Sequence, residues 1–202
     1  MKLLCKGLII LLSIAAGFGA DKDKPVFKPG PADSYPHRQR ISKLTIAADA
    51  FTEPGEMRAA FGKLNPSKYG LLPILVVMRN DSGQALRLDT MRVEYIRDDG
   101  RSLEPIPPED IPYLTPVKQP NMGGAKWPTP PIPGLSGKKK NPLAAFEVQG
   151  RAFAAKMLPP RDSAEGFFYF YTAPLRGSTL YITGITEAAT GQELFYFEIP
   201  LD

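Results

Sequence analysis

The residues best suited to hold a ligand lie in one basic, proline-rich stretch of the chain. It combines five lysines with the only tryptophan, so positive charge and an aromatic plate occur together. Such a set can bind an anionic glycan, a peptidoglycan strand or a lipid headgroup by charge attraction and stacking. A solvated lysine run with a tryptophan packed over a sheet end is the plainer interpretation, and we favour it. The candidate ligand-binding residues are Lys118, Lys126, Trp127, Lys138, Lys139 and Lys140.

Three acidic residues beside this stretch are the candidates for catalysis. Glycoside hydrolysis needs only two carboxyl groups at a suitable separation, and Glu104, Glu109 and Asp110 border the loop. Acids that follow Pro107-Pro108 are equally typical of a short helical turn, where they lie at its positive end. We therefore expect no enzyme activity, and keep a carboxylate-dependent hydrolase as the lowest-ranked alternative.

Thiol, imidazole and cofactor chemistry find little support in the sequence. The single cysteine, Cys5, lies at the N-terminus, and the single histidine, His37, lies in a polar segment where we expect no role for it. A thiol nucleophile, a serine triad or a zinc site needs positioned Cys or His side chains. Phosphate-loop, nucleophile-elbow and calcium-loop patterns are not present. We predict neither a metal nor a cofactor.

The first twenty residues have the pattern of a secretory signal peptide. Lys2 and Lys6 precede a mostly apolar run at residues 7–18, and the small residues Gly19 and Ala20 follow it. The run is shorter than the roughly 20 residues that a membrane-spanning helix needs, so we expect cleavage and no transmembrane segment afterwards. The prediction is an exported protein, periplasmic or extracellular, that folds without disulfide bonds.

The charge balance does not favour a nucleic-acid partner. The chain has 25 basic and 21 acidic residues, a net charge of +4. Loss of Lys2 and Lys6 leaves 23 basic residues against 21 acidic ones. Nucleic-acid-binding domains carry a dense basic face, which so small an excess does not supply.

Composition divides the remainder into a linker and one domain. Residues 21–40 have few large apolar side chains, so we predict a disordered linker there. A single domain follows at 41–202. Within it, residues 105–142 hold eleven of the 22 prolines, and the missing amide donors predict a long loop instead of a central strand.

Alternation and turn signals predict that this domain is mainly β. The continuous apolar run at 71–78 predicts a strand covered on both faces. Residues 167–171 are all aromatic, and their alternation predicts a core face and an outer face that the short helices or the loop cover. A tight turn is expected at Asp99-Gly100. We predict strands at 41–47, 71–78, 86–97, 166–172, 179–186 and 193–201, and helices at 54–61 and 151–157.

Two stretches resemble strands of secreted bacterial immunoglobulin-like sandwich proteins, many of which have no known function. They are residues 70–80 (GLLPILVVMRN) and 158–170 (LPPRDSAEGFFYF). The resemblance implies a fold and no catalytic residues. With the predicted elements, it gives an antiparallel immunoglobulin-like β-sandwich with two short helices and a long Pro-rich loop.

The sequence thus favours a non-catalytic interaction or structural module of the bacterial cell envelope with a protein partner. The first alternative is a binder of anionic envelope polysaccharide or peptidoglycan through the basic loop. The second is the hydrolase.

Overall fold

The computed structural model describes residues 27–114, 141–144 and 146–202. Within them the fold is mainly antiparallel β, with eleven strands in three sheets and two α-helices. The signal-peptide pattern and most of the predicted Pro-rich loop lie outside the described residues. The strands are β1 (Arg38–Ile41), β2 (Leu44–Ala50), β3 (Leu71–Asn80), β4 (Leu86–Arg87), β5 (Arg92–Ile96), β6 (Ser102–Leu103), β7 (Met157–Leu158), β8 (Ser163–Tyr171), β9 (Thr179–Thr183), β10 (Thr186–Glu187) and β11 (Phe197–Pro200), and the helices are α1 (Pro54–Phe61) and α2 (Phe146–Gln149).

Two four-stranded sheets share one apolar core. The first sheet has the order β1-β2-β3-β8 and the second β11-β9-β5-β6, while β10-β4-β7 form a small third sheet. The inner cluster, which we define as the buried apolar side chains that both large sheets contribute, includes Ile74 and Val76 of β3 with Tyr95 of β5 and Ile182 of β9. Burial of these side chains on both sheets is the main force that joins them.

A second apolar cluster covers the opposite face of the first sheet. This outer cluster contains Leu75 and Val77 of β3, and α1 contributes Phe61 to it. It also takes in Val148 of α2. Strand β3 is consequently buried on both faces, as its continuous apolar run predicts.

The aromatic run in β8 divides between the two clusters. Phe168 and Phe170 pack with the inner cluster, and Phe167 and Tyr169 belong to the outer cluster. The Phe61 and Phe167 ring centroids lie 4.9 Å apart, so α1 packs directly on this face. The expected division of the run, with short helices over its second face, is confirmed.

Two further local predictions are confirmed. Helix α1 spans the predicted residues, and at its end the Gly62 amide donates to the Arg58 carbonyl at 2.9 Å. The tight turn between β5 and β6 has Gly100 at a φ of 78°, and the Arg97 amide donates to the Arg101 carbonyl across it.

The predicted disordered linker is wrong for residues 27–40. The Phe27 ring packs edge-to-face on Phe51, with centroids 5.8 Å apart, and Ala32 is buried in the outer cluster. Strand β1 pairs with β2 in antiparallel register, with Gln39 opposite Ile46. The few apolar residues of this segment suffice because they reach an existing cluster and the backbone gains strand pairing.

Residues 41–47, predicted as one strand, comprise the end of β1, a two-residue turn and the start of β2. Ser42 and Lys43 both have positive φ, 47° and 67°, and form the two-residue turn between β1 and β2. Thr45 is buried between Arg40 and Arg79, its partners across β1 and β3.

The helix predicted at 151–157 does not form. The Phe153 amide donates to the Phe167 carbonyl at 3.0 Å, and the Phe167 amide donates to the Arg151 carbonyl at 2.8 Å. Residues 151–153 therefore run alongside the outer edge of β8. Buried strand edges need hydrogen-bond partners, and this pairing outweighs the local helical preference.

Two predicted strands are each interrupted. The 86–97 strand is divided into β4 and β5 by a turn in which the Met91 amide donates to the Leu88 carbonyl at 3.1 Å. The 179–186 strand is divided into β9 and β10 near Gly184. In both cases the second piece pairs in a different sheet from the first.

Candidate functional site

The sequence-predicted binding residues cannot be placed. All six, Lys118, Lys126, Trp127, Lys138, Lys139 and Lys140, lie outside the described residues. The described flanks lie together on the covered face of the first sheet. Ile111 and Leu143 are buried in the outer cluster, and the Asn141 side-chain amide donates to the Pro112 carbonyl.

The candidate catalytic acids are exposed and lie in irregular backbone. Glu109 and Asp110 are part of a turn that leads into a short 3-10 helix at Ile111–Tyr113, in agreement with the helical-turn interpretation. Glu104 follows β6 and is exposed as well. The histidine predicted to have no role takes part in strand pairing, since the His37 carbonyl accepts the Ala48 amide at 3.1 Å.

Across the residues that the structure describes, no group of three or more His, Cys, Asp or Glu side chains is arranged to hold a metal ion. In the same part of the chain, no helix is both long and apolar enough to cross a membrane.

Two tyrosines pack together on the outer face of the second sheet, and an exposed phenylalanine is next to one of them in the chain. The aromatic patch consists of Tyr181 on β9 with Phe195 and Tyr196, which directly precede β11. The Tyr181 and Tyr196 ring centroids lie 5.3 Å apart. Phe195 is 76% exposed and Tyr196 51% exposed.

Charged residues border the aromatic patch. In the sheet register, Tyr181 lies between Glu198 of β11 and Glu94 of β5. Arg92 lies two residues before Glu94 on β5, opposite Thr183, and so is on the same face of the sheet. The rim of the patch in this register thus has two carboxylates and one guanidinium.

The alternation in the strand predicted at 193–201 does not indicate this patch. Phe195, Phe197, Ile199 and Leu201 alternate like one face of a strand, but regular strand pairing of β11 starts only at Phe197. Before it, the Leu194 amide donates to the Ile185 carbonyl at 2.8 Å, and the Leu194 side chain packs against the inner cluster. Phe195 is thereby directed outward.

A cleft of about 210 Å³ lies where the N-terminal segment meets the outer edge of β8. Phe27, Leu75 and Phe167 give it apolar walls, and Arg151 and Glu165 are its charged residues. The Arg151 guanidinium lies 5.4 Å from the centroid of the Phe27 ring, and its Nη1 donates to the Phe27 carbonyl at 3.2 Å. This cation–π contact holds the guanidinium at the cleft.

Two neighbouring groups have shifted pKa values. Burial raises the pKa of Tyr169, whose hydroxyl remains neutral and donates to the Val148 carbonyl at 2.8 Å. Burial also raises the pKa of Asp49 on β2; Glu56 adds to this rise and His37 opposes it. The charges of Asp49, Glu56 and His37 thus interact across β2, α1 and the segment before β1.

A second hollow, of about 190 Å³, lies by the C-terminus. There the Tyr95 hydroxyl accepts the Leu175 amide at 3.1 Å, and the Asp202 side chain accepts the Gly177 amide at 2.8 Å. These polar groups are satisfied by the chain itself, so the hollow has a structural explanation.

No family model and no curated protein matches the chain. Among solved structures, it is similar to the yjhA protein from Bacillus subtilis, with a TM-score of 0.44 and 10% identity over 83% of this chain and 98% of that one. It is also similar to the Northeast Structural Genomics Consortium target SoR45, with a TM-score of 0.31 and 13% identity over 78% of this chain and 84% of that one. Neither similarity bears on what the chain does.

Proposed function

We propose that this chain is a non-catalytic, exported interaction module of the bacterial cell envelope that binds a partner protein through the aromatic patch. The observation that carries the proposal is the exposure of the adjacent residues Phe195 and Tyr196, together with the packing of Tyr196 on Tyr181 at the outer face of the second sheet. Burial of such rings against a partner removes apolar area from water, which is favourable by about 25 cal/mol of free energy per Å².

The chemistry of the patch favours a protein as its occupant. Aromatic residues are enriched at the centres of protein interfaces. Glu94 and Glu198 beside Tyr181 favour a partner whose apolar surface has Lys or Arg at its rim. The partner that we propose therefore presents an apolar surface with a basic rim.

The location and the finer fold are part of the same proposal. The N-terminal pattern at residues 1–20 supports export, and two packed antiparallel sheets support an immunoglobulin-like sandwich. In this chain the outer cluster covers the outer face of the first sheet, whereas Tyr181 and Tyr196 lie on the outer face of the second.

The test is capture of envelope proteins by residues 21–202 carrying an affinity tag, at low and at high salt. The patch variant has Phe195→Ser and Tyr196→Ser, and the matched control is Tyr113→Ser, which alters an 83% exposed aromatic residue elsewhere. We expect one identified protein to be retained at high salt by the wild type and the control and lost by the patch variant. Rim charges add mainly to the association rate, so salt should slow binding without abolishing it.

Either of two results would contradict the proposal. One is equal capture of the same protein by the wild type and the patch variant. The other is salt-sensitive recovery of glycan or peptidoglycan in place of a protein, which would favour the basic loop. Circular dichroism of each variant confirms that the fold is retained.

A further inference from the structure

The cleft beside Phe27 is lined by an arginine that has no carboxylate partner in the described part of the chain. The Arg151 Nε lies buried and has no hydrogen-bond partner, although Nη1 of the same side chain donates to the Phe27 carbonyl. None of the five ion pairs among the described residues includes Arg151 or Glu165. Arg151 thus lines the cleft without a carboxylate partner among these residues, so its guanidinium would stabilise an anionic group bound there.

The backbone holds Arg151 rigidly in this position. Residues 151–153 are hydrogen-bonded to β8 on both sides of Phe167, and Gly166 allows their close approach. A Cβ on Gly166 would lie 2.5 Å from the Phe153 Cα, which no packed structure tolerates. With the backbone fixed in this way, the contacts of the guanidinium with the Phe27 carbonyl and ring position it before any ligand arrives, which reduces the entropy cost of binding.

The remaining walls define the rest of the ligand. Phe27, Leu75 and Phe167 offer apolar contact next to the guanidinium, so an aromatic or aliphatic body fits beside the anionic group. Glu165 would repel a second carboxylate and attract an ammonium group. The cleft volume of about 210 Å³ is below the roughly 300 Å³ at which drug-sized sites begin, so the ligand is small.

We propose that this cleft binds a small monocarboxylate with a compact apolar body, its carboxylate paired with the Arg151 guanidinium and its apolar part against Phe27 and Phe167. Glu165 selects against dicarboxylates and favours a monocarboxylate that also has an amino group. The site is separate from the aromatic patch and does not depend on the function proposed for that patch.

The test is titration of residues 21–202 with four probes, in which binding is measured by NMR chemical-shift changes and by calorimetry. The probes are 3-phenylpropionate, phenylalanine, phenylsuccinate and phenethylamine, which differ only in their charged groups. We expect the two monocarboxylates to bind, with phenylalanine the tighter, and phenylsuccinate and phenethylamine to bind at least about tenfold more weakly. The shifts should centre on the Phe27, Arg151 and Phe167 amides.

Variants distinguish specific recognition by Arg151 and Glu165 from non-specific binding. Arg151→Gln should weaken 3-phenylpropionate binding by about tenfold or more, whereas Arg161→Gln, at an exposed arginine, should leave it unchanged. Glu165→Gln changes an exposed side chain, so the fold should survive, and it should remove the discrimination against phenylsuccinate.

Three results would overturn the proposal: no binding of either monocarboxylate to the wild type, equal binding to Arg151→Gln, or unchanged probe selectivity in Glu165→Gln. If Arg151→Gln fails to fold, the Glu165→Gln selectivity and the wild-type shifts decide the outcome.

Discussion

At the end of β3, the buried side chain of Asn80 joins three segments of the chain. Its amide nitrogen lies 2.8, 3.2 and 3.0 Å from the carbonyl oxygens of Gln84, Leu158 and Pro159. Its oxygen accepts the amide and the hydroxyl of Ser82. We expect Asn80→Ala to lower the free energy of unfolding by roughly 2–4 kcal/mol, because it leaves buried carbonyl groups without a hydrogen-bond donor. Urea unfolding measures this.

Ser82→Ala is the matched control for that change. It removes one partner of Asn80 but leaves the carbonyl contacts in place, so the loss should be about 1 kcal/mol or less. Equal losses for the two variants would show that the carbonyl contacts of Asn80 contribute little.

Asp49 predicts a pH dependence of stability. Burial and Glu56 raise its pKa in the folded protein above the ordinary value of 3.8. The folded state then holds the proton more tightly than the unfolded state, so this contribution is full below pH 3.8 and is lost as pH rises through the raised pKa. Asp49→Asn should therefore be more stable, relative to wild type, at pH 7 than at pH 3. Urea midpoints at both values measure the difference, and a reversed sign would contradict the assignment.

Among the elements, the pairing of residues 151–153 with β8 depends on one missing side chain. Gly166→Ala would place a Cβ 2.6 Å from the Phe153 backbone nitrogen, so the two segments must separate. We expect a stability loss of roughly 2–4 kcal/mol and faster hydrogen exchange at the Phe153 and Phe167 amides. Thermal unfolding and exchange NMR measure the two effects.

Gly55→Ala in α1 is the control, since a Cβ there meets nothing within 4 Å. Alanine favours a helix by up to about 1 kcal/mol over glycine, so this variant should be neutral or slightly more stable. If Gly166→Ala behaved in the same way, the close approach of the two segments would not hold in solution.

Elements with local signals were predicted well from the sequence. Helix α1 has Pro54 at its start and Gly62 at its end, and β3 is a continuous apolar run. In each case the residues that determine the element lie within about ten positions of one another. The turn at Ser42-Lys43 was missed because neither residue type signals the positive φ that both adopt.

Elements fixed by distant contacts were not predicted. Residues 151–153 have a helical pattern, but their partner Phe167 lies more than ten positions further along the chain. The Arg151 cleft depends on this pairing and on Phe27, so no local pattern could indicate it. The aromatic patch was missed for a related reason, because the bond between Leu194 and Ile185 moves Phe195 out of the core.

For the whole molecule, the first sheet acts as a shared middle layer between the two clusters. Ile74 faces the inner cluster and Leu75 the outer cluster, and both are fully buried. We expect Ile74→Ala and Leu75→Ala each to cost roughly 2–5 kcal/mol and to preserve one cooperative transition, because each cluster shares the backbone of β3. Calorimetry combined with aromatic fluorescence would reveal two separate transitions if the clusters unfolded independently.

The seam between the two large sheets is closed by a side chain. Gln39 of β1 accepts the backbone amide of Glu198 on β11 at 2.7 Å, so this amide of an edge strand is already occupied. At the other end of the first sheet, residues 151–153 and the Ile106 amide occupy the outer edge of β8. Edge strands left open invite other chains to add to the sheet, which is a common start of aggregation. Because residues of the same chain occupy these positions on β11 and β8, addition of another chain at these two edges is disfavoured, which lowers the tendency to aggregate there.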